Sequence, residues 1–487
     1  MFKHLIIFLI GISNIKCIFG SITCKPKVAV IGAGIGGASA SQFITELFNK
    51  NVEIDVFEAK KIGGRLANIE FGSNEYEAGG AIIHPRNKYM VDFVNQLGLE
   101  HTPPSFERFG IWNGDELVFE ESSWESITLV KLLYKYGMQP IHLYRYVDKI
   151  LDDFQRIYEH QDKGVGFENV TALIMSMNKE FAQLLETPMH DHLTSLGYGE
   201  ELINQLVKAT IVVNYGQDVN IHAFVGCVSV AGAGFDLWSI KGGNKKVPQF
   251  LLSRNEKVTV ISSTVKKIHK HSLENSPKYE IFHRQSEQNE TSGIYDIVII
   301  ATPMTSDHEN PIAFSGFDNP DLHFPGEFQT TIATFVSGKI NYSYFELEDE
   351  LGGIMSCDPD KTKISCIGKI SSVNGKQDID AEVWKVFSRQ ELQNMDKIFS
   401  KINEVKEIKW KAYPRYSSTG RLDKFKLDDF MYHVNAIEWA ASAMEMSAIG
   451  GRNAAILAYN DYGHKCVPPM SHHQSPNMKT RTPSSEL

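Results

Sequence analysis

The stretch that decides the fold is KVAVIGAGIGG, residues 27–37. Its first five residues are rich in β-branched side chains and predict a buried strand, and the glycines that follow predict a tight turn. Helical spacing then runs from Ala38 to Leu47, and apolar and polar residues alternate from Val52 to Glu58. The sequence therefore predicts a strand, a helix and a second strand, which is a βαβ unit.

The glycines of this unit have the spacing of a dinucleotide-binding turn. Gly32 permits the turn, Gly34 lets the backbone approach a pyrophosphate, and Gly36 and Gly37 open a helix that packs closely on the strand. The helix N-terminus favours phosphate, because its free N–H groups and its dipole attract anions. Glu58 ends the second strand 21 positions after Gly37 and is placed to bind a ribose.

Two further glycine pairs follow Glu58. Gly64 and Arg65 belong to the turn KIGGRL, residues 61–66, where the arginine fork is expected to offset pyrophosphate charge. Gly79, Gly80 and Ala81 belong to EAGGAI, residues 77–82, where small residues would let a flat ring lie on the main chain.

This arrangement resembles the FAD-binding amine oxidase superfamily. The strand leading into Val265 resembles the strand that lies beside the adenine in that superfamily, and YDIVIIATP, residues 295–303, resembles a later strand of the flavin domain. Near the C-terminus, a strand at Met431 is followed by a predicted helix over residues 440–448. Its N-terminal part, which includes Ala443 and Met444, is expected to face the flavin. The predicted fold class is α/β, a discontinuous Rossmann-type FAD-binding domain with an inserted α+β substrate-binding lobe.

Shorter blocks resemble the prenylcysteine oxidase family more closely. They include YEAGG at 76–80, VNYGQ at 213–217 and AASAMEMSAI at 440–449. The resemblance implies a lysosomal oxidase with non-covalent FAD. Its substrate would be farnesyl- or geranylgeranyl-cysteine, and with O2 and water it would yield cysteine, an isoprenoid aldehyde and hydrogen peroxide. Two alternatives stay open, namely an amine or polyamine oxidase, and a lipid- or lipoprotein-associated binder without catalysis.

Two residues are candidates for a catalytic role. His84 follows the ring-facing glycines and is a candidate to touch the flavin or position water, although a histidine that caps the turn before Pro85 is favoured. Lys241 is a second candidate, for which a surface position is favoured. No anchors for the cysteine end of the substrate can be named.

The resemblance and the motif positions predict seven segments. These are a signal peptide (1–21), FAD-binding segments (26–106, 219–304 and 420–463), the two parts of the substrate lobe (107–218 and 305–419) and a disordered tail (464–487).

Composition excludes several function classes. The 49 Lys and Arg residues against 59 Asp and Glu residues give a net charge of −10, which argues against nucleic-acid binding. The six cysteines include no CxxC pair, so no metal site is predicted. Cys357 and Cys366 are close enough in sequence to form a bridge, but buried free thiols are favoured.

The N-terminus predicts entry into the secretory pathway. Lys3 and His4 precede an apolar run from Leu5 to Ile12, which is typical of a cleaved signal and too short to span a bilayer. No later transmembrane segment is predicted. The N-x-S/T sequons are candidate glycosylation sites for a lysosomal or secreted protein, and they lie at Asn169, Asn289 and Asn341.

Overall fold

The computed structural model describes residues 25–466 except 103–107, 234–235, 274–276, 286–288, 319–321, 323, 348–349, 376–381 and 417–422. The strands of this part of the chain, in order, are β1 (Lys27–Ile31), β2 (Glu53–Glu58), β3 (Asn68–Phe71), β4 (Asn74–Glu77), β5 (His101–Thr102), β6 (Phe109–Trp112), β7 (Leu117–Glu120), β8 (Ser239–Ile240), β9 (Val258–Ser262), β10 (Thr264–His271), β11 (Lys278–Arg284), β12 (Thr291–Tyr295), β13 (Ile297–Ile300), β14 (Ala313–Ser315), β15 (Phe328–Ile340), β16 (Gly353–Ser356), β17 (Cys366–Ile370), β18 (Val383–Ser388), β19 (Phe399–Pro414), β20 (Lys426–Asp428) and β21 (Met431–His433).

The α-helices of the same residues are α1 (Ile35–Leu47), α2 (Lys88–Leu97), α3 (Glu125–Tyr136), α4 (Gln139–Phe154), α5 (Arg156–Asp162), α6 (Val170–Met177), α7 (Phe181–Glu186), α8 (Met189–Ser195), α9 (Glu200–Leu202), α10 (Lys208–Tyr215), α11 (Ala223–Ala231), α12 (Lys246–Ser253), α13 (Pro359–Thr362), α14 (Met395–Ile398) and α15 (Met444–Cys466). A π-helical turn (Ile203–Val207) joins α9 to α10, and 3-10 turns lie at Tyr342–Phe345 and Val434–Trp439.

A six-stranded sheet forms the dinucleotide-binding half, in the order β20-β21-β13-β1-β2-β9. Strand β1 pairs in parallel with both β2 and β13, with Val30 opposite Val56 on one side and Ile299 on the other. Every residue of β13 is buried, as expected for a parallel strand covered on both faces. The α/β Rossmann fold predicted from residues 27–58 is confirmed.

A seven-stranded sheet lies in the order β19-β15-β18-β17-β16-β6-β7. It combines β6 and β7, from early in the chain, with strands that follow residue 327, because β16 pairs in parallel with β6. Helices α3 to α10 come between these two groups of strands along the chain. The sheet therefore brings together the two segments predicted as substrate lobe, while their boundaries remain predictions.

Most of the predicted C-terminal elements are present, with shifted ends. The strand at Met431 passes into the 3-10 turn, and α15 begins at Met444 and packs along α1. Helix α15 continues to Cys466, and the predicted disordered tail from residue 464 remains a prediction. Residues 467–487 and the predicted signal peptide lie outside the described residues.

Cys227, Cys357 and Cys366 are free thiols. Cys227 and Cys357 are buried, and Cys366 is partly buried in β17. The alternative of a Cys357–Cys366 bridge is therefore not realised in the structure. Burial raises the pKa of the Cys366 thiol to about 11, so this thiol is poorly reactive.

Candidate functional site

Two glycine loops meet at the carboxyl end of β1. Gly32 has a φ of +109°, and a Cβ added there would lie 2.5 Å from the carbonyl oxygen of Ala301, at the end of β13. A Cβ on Gly37 would lie 1.9 Å from the carbonyl oxygen of Gly32, so α1 and the turn approach too closely for any side chain. Gly34 differs, because its added Cβ would meet nothing nearer than the Gly63 oxygen at 3.9 Å.

The second loop is held against the first by backbone contacts. The Gly63 N–H donates to the Ala33 carbonyl at 2.9 Å, and Gly34 and Gly63 form a parallel bridge. Gly64 has a φ of +57°, and a Cβ there would lie 3.5 Å from the Gly34 Cα atom. Two motifs that are about 30 positions apart in the sequence therefore line one cradle, with Gly34 open to a ligand.

The N-terminus of α1 is left free for an anion. Its cap is Gly34, no side chain caps it, and its first turn carries no acidic residue. Glu58 stands beside the turn, where its Oε2 accepts from the Ala33 N–H at 2.8 Å and its Oε1 accepts from the Lys60 N–H at 2.7 Å. The loop therefore offers N–H groups and helix-dipole charge for a pyrophosphate, with one carboxylate at its edge.

Arg65 is held by a partner that the sequence did not predict. Its guanidinium fork binds both carboxylate oxygens of Glu438, one through Nη1 at 3.1 Å and the other through Nη2. Nη1 also donates to the Ala412 carbonyl at 2.7 Å. Glu438 is almost fully buried and Arg65 is partly exposed. Since Glu438 already neutralises the guanidinium, the predicted role of Arg65 toward a pyrophosphate remains a prediction.

The Gly79–Gly80 segment is fixed from two sides. Asn244 donates its Nδ2 to the Gly80 carbonyl at 2.9 Å, and its backbone N–H donates to Glu77 Oε2 at 3.2 Å. From the seven-stranded sheet, Lys385 Nζ donates to the Glu77 carbonyl at 3.2 Å and contacts the Gly79 carbonyl at 3.5 Å. Gly80 is exposed and Ala81 is partly exposed, so this main chain forms part of an accessible wall.

Lys385 is buried behind that wall, where its charge acts on the partly buried Glu77 carboxyl. Burial raises the pKa of the Glu77 carboxyl, and the backbone N–H of Asn244 and the charge of Lys385 oppose the shift. Burial lowers the pKa of Lys385, which the charge of Glu77 partly restores. Among the described residues, Glu77 Oε1 has no hydrogen-bond partner. Lys385 therefore joins the seven-stranded sheet to the segment predicted to lie against a cofactor ring.

The start of α15 faces the same region. Ala443 is exposed and Met444 is partly exposed, and the Met444 side chain lies near Gly80. The next residue, Glu445, turns away and is buried, where it accepts from the N–H groups of Tyr89 and Met90 at 2.8 and 2.9 Å. Glu445 thereby binds the free N–H groups in the first turn of α2.

The remaining predicted residues are Val265, His84 and Lys241. Val265 is buried at a bulge in β10. His84 is part of a turn, where its Nδ1 accepts from the Arg86 N–H at 3.1 Å, which agrees with the favoured structural interpretation. Lys241 forms an exposed ion pair with Glu100 at 2.7 Å, and is therefore a surface residue.

Four residues that hold the site were not predicted individually. Glu445 falls within the block AASAMEMSAI at 440–449, but the roles of Asn244, Glu438 and Glu445 depend on partners far away in the sequence. Lys385 does have a local signal, because it is a lone charge within the buried strand VWKVFS of β18. Across the described residues, no group of three His, Cys, Asp or Glu side chains is arranged to hold a metal ion.

Comparison with known proteins gives this geometry a family. The profile described as prenylcysteine lyase matches residues 119–467, and the profile of an NAD(P)-binding Rossmann-like domain matches residues 30–97. Prenylcysteine oxidase 1 of Homo sapiens is 38% identical over 456 residues, which cover 90% of each chain. This chain belongs to the prenylcysteine oxidase family. The mouse protein of the same name is 37% identical over 451 residues, or 89% of each chain, and the bovine prenylcysteine oxidase 1-like protein is 37% identical over 447 residues, 89% of this chain and 90% of the other.

Solved structures of amine oxidases share the fold of this prenylcysteine oxidase family member. Putrescine oxidase bound to putrescine has a TM-score of 0.58 at 12% identity, covering 88% of this chain and 98% of that one. Cyclohexylamine oxidase from Brevibacterium oxydans has a TM-score of 0.57 at 14% identity, covering 90% and 100%. At this identity the similarity shows the fold alone. It agrees with the predicted fold class and does not transfer an amine substrate.

Proposed function

We propose that this chain is an FAD-dependent oxidase that cleaves prenylcysteines. The thioether, O2 and water give cysteine, an isoprenoid aldehyde and hydrogen peroxide. The observation that carries the proposal is the identity of 38% to human prenylcysteine oxidase 1 across 90% of both chains. The cradle lined by Gly34, Gly63 and Gly64 supports it. An amine oxidase fold alone would leave the substrate open.

The residues of this chain fit FAD. The cradle at Gly34 and the free N-terminus of α1 suit a pyrophosphate, and Glu58 stands at the edge of the turn as a ribose partner. Gly80 and Ala443 are exposed, while Glu445 in the first turn of α15 is buried. Such a wall of main chain and small side chains suits a flat ring. No described cysteine lies in the segment 431–449, in agreement with a non-covalent cofactor.

Bound FAD supplies the acceptor for two electrons from the carbon next to sulfur, and water then converts that carbon to the aldehyde as the thiol leaves. The protein's part is to hold the segment 77–81 rigid through Asn244 and Lys385, and to exclude bulk water from the reacting carbon. Such a reaction needs no nucleophilic side chain. The structural role of His84 is therefore compatible with catalysis.

The test measures the purified protein without oxygen. Farnesylcysteine is expected to bleach the visible flavin absorbance, and readmitted oxygen should restore it with equal amounts of free thiol and hydrogen peroxide. Bleaching by putrescine but not by farnesylcysteine would favour an amine oxidase instead. A chain that carries no flavin and takes up none when FAD is added would favour a binder without catalysis.

The proposed location is the lysosome, reached through the secretory pathway. The apolar run Leu5–Ile12 and the sequons support this. Asn289 is exposed, whereas Asn169 Oδ1 caps α6 by accepting from the Ala172 N–H, and Asn341 Nδ2 donates to the Lys397 carbonyl at 2.9 Å. Asn289 is therefore the sequon that a glycan reaches with least rearrangement. Asn289→Gln should remove an endoglycosidase-sensitive mobility shift, and unchanged mobility would contradict this assignment.

A further inference from the structure

Helix α3 presents apolar side chains to solvent instead of burying them. It contains seven large apolar or aromatic residues among twelve, yet only Tyr136 is buried. Ile127, Val130, Lys131 and Tyr134 recur at helical spacing and form one face, which we call the α3 face. Val130 is 63% exposed and Tyr134 is 93% exposed. Trp124, at the start of the helix, is 69% exposed beside them.

The exposed apolar surface continues past the end of the helix. Met138 in the following turn and Tyr144 in α4 are also largely exposed. Single exposed apolar side chains are ordinary, but a contiguous group of this kind marks an interaction surface. The seven-stranded sheet lies directly beside it, because Lys131 Nζ donates to the Glu120 carbonyl in β7 at 3.1 Å. The surface therefore belongs to the substrate-lobe side of the molecule.

The charge of this segment indicates the kind of partner. The 22 residues from Ser126 to Val147 contain no Asp or Glu, although acids make up about one residue in eight of the chain. The same segment carries Lys131, Lys135 and Arg145 within a protein of net charge −10. Glu125, next to Trp124, is the one acid of α3, and Lys135 pairs with Glu201 at 3.2 Å. Exposed Trp and Tyr rings, aliphatic side chains and an excess of basic over acidic residues are what a helix at an anionic membrane surface requires.

We infer that the α3 face docks on the surface of an anionic phospholipid bilayer. Docking would be peripheral, since no helix in the described part of the chain is both long and apolar enough to cross a membrane. The inference deepens the proposed function and rests on it for its biological purpose, because a prenylcysteine carries a long hydrocarbon chain that partitions into lipid. A substrate lobe seated on the bilayer receives that chain without moving it through water.

The test is vesicle flotation with the purified full-length protein. Vesicles of phosphatidylcholine containing about one third phosphatidylserine should carry the protein upward, and vesicles of pure phosphatidylcholine should carry less. Val130→Glu and Tyr134→Glu should each weaken binding to the anionic vesicles by about tenfold or more, because each places a carboxylate against the bilayer. Ile294→Glu is the matched control, because Ile294 is 57% exposed on the distant strand β12, and binding should be unchanged.

Flotation needs no turnover, so its result is independent of the proposed reaction. Wild-type protein that stays at the bottom with both vesicle types would overturn the inference, as would equal effects of Val130→Glu and Ile294→Glu. A wild-type dimer that Val130→Glu separates, with vesicle binding unchanged, would show that a second copy covers this face instead. In a turnover assay, Val130→Glu should raise KM for farnesylcysteine held in vesicles and leave kcat for farnesylcysteine in detergent unaltered.

Discussion

Alanine substitutions at Gly34 and Gly37, three residues apart, should have different consequences. We expect Gly34→Ala to prevent FAD binding and Gly37→Ala to destabilise the fold. An alanine at Gly37 would place its Cβ 1.9 Å from a backbone oxygen, while an alanine at Gly34 would meet no atom closer than 3.9 Å. Gly34 also has a φ of −75° and a ψ of −175°, which alanine adopts without strain. Gly37→Ala tests packing, and Gly34→Ala tests whether a ligand occupies the open side of the turn.

The magnitudes follow from these contacts. Gly37→Ala should lower the free energy of unfolding of the apoprotein by about 3 kcal/mol or more, since neither the turn nor α1 can move without breaking β1 pairing. Gly34→Ala should change it by less than about 1 kcal/mol, because any loss at the helix cap is offset by the reduced entropy of the unfolded chain. It should instead abolish the stabilisation from bound FAD, about 2.7 kcal/mol at a ligand concentration of one hundred times Kd.

The assay combines urea unfolding of each apoprotein with flavin content after purification and dialysis against FAD. The expected result is a folded Gly34→Ala protein without flavin and a destabilised Gly37→Ala protein. Wild-type flavin content in Gly34→Ala would refute the assignment of the pyrophosphate to this turn. Equal destabilisation of the two apoproteins would refute the packing argument.

Three further predictions concern the charged residues around the site. Glu438→Gln should lower the free energy of unfolding by about 2 kcal/mol, measured by urea titration, because it leaves the Arg65 guanidinium without its buried counter-charge; an unchanged midpoint would show that the pair contributes nothing. Burial raises the pKa of the Glu445 carboxyl to about 7, so this carboxyl binds a proton more tightly in the folded than in the unfolded state. The resulting stabilisation of the fold is complete below about pH 4.5 and is lost as the pH rises to about 7. Burial lowers the pKa of His433 to about 4, which changes stability with pH in the opposite direction. The measurement is therefore the unfolding free energy of the wild type minus that of Glu445→Gln, which should fall as the pH rises. A difference that stays constant with pH would contradict the raised pKa of Glu445. His84→Asn should keep kcat within about threefold and flavin content unchanged, and a loss beyond one hundredfold would make His84 catalytic after all.

Local sequence was sufficient to predict the dinucleotide-binding unit, because the residues that form it are neighbours along the chain. Residues 27–58 carry a strand, a glycine turn, a helix and an acid-tipped strand, and each is recognised from composition and periodicity within a few residues. The structure shifts the start of α1 from Ala38 to Ile35 and the start of β2 from Val52 to Glu53. These boundaries differ from the predicted ones because backbone hydrogen bonding, and not the residue type at the ends, decides where an element begins.

The sequence by itself determined that this chain has a dinucleotide turn and that blocks between residues 76 and 449 resemble one family, because both depend on the order of residues along the chain. Only the tertiary structure decided what holds the site together. Arg65 meets Glu438 across more than 370 positions, and Lys385 reaches Glu77 and Gly79 across more than 300. Such pairs leave no periodic pattern, since a buried charge is stabilised by whichever partner the fold brings near it.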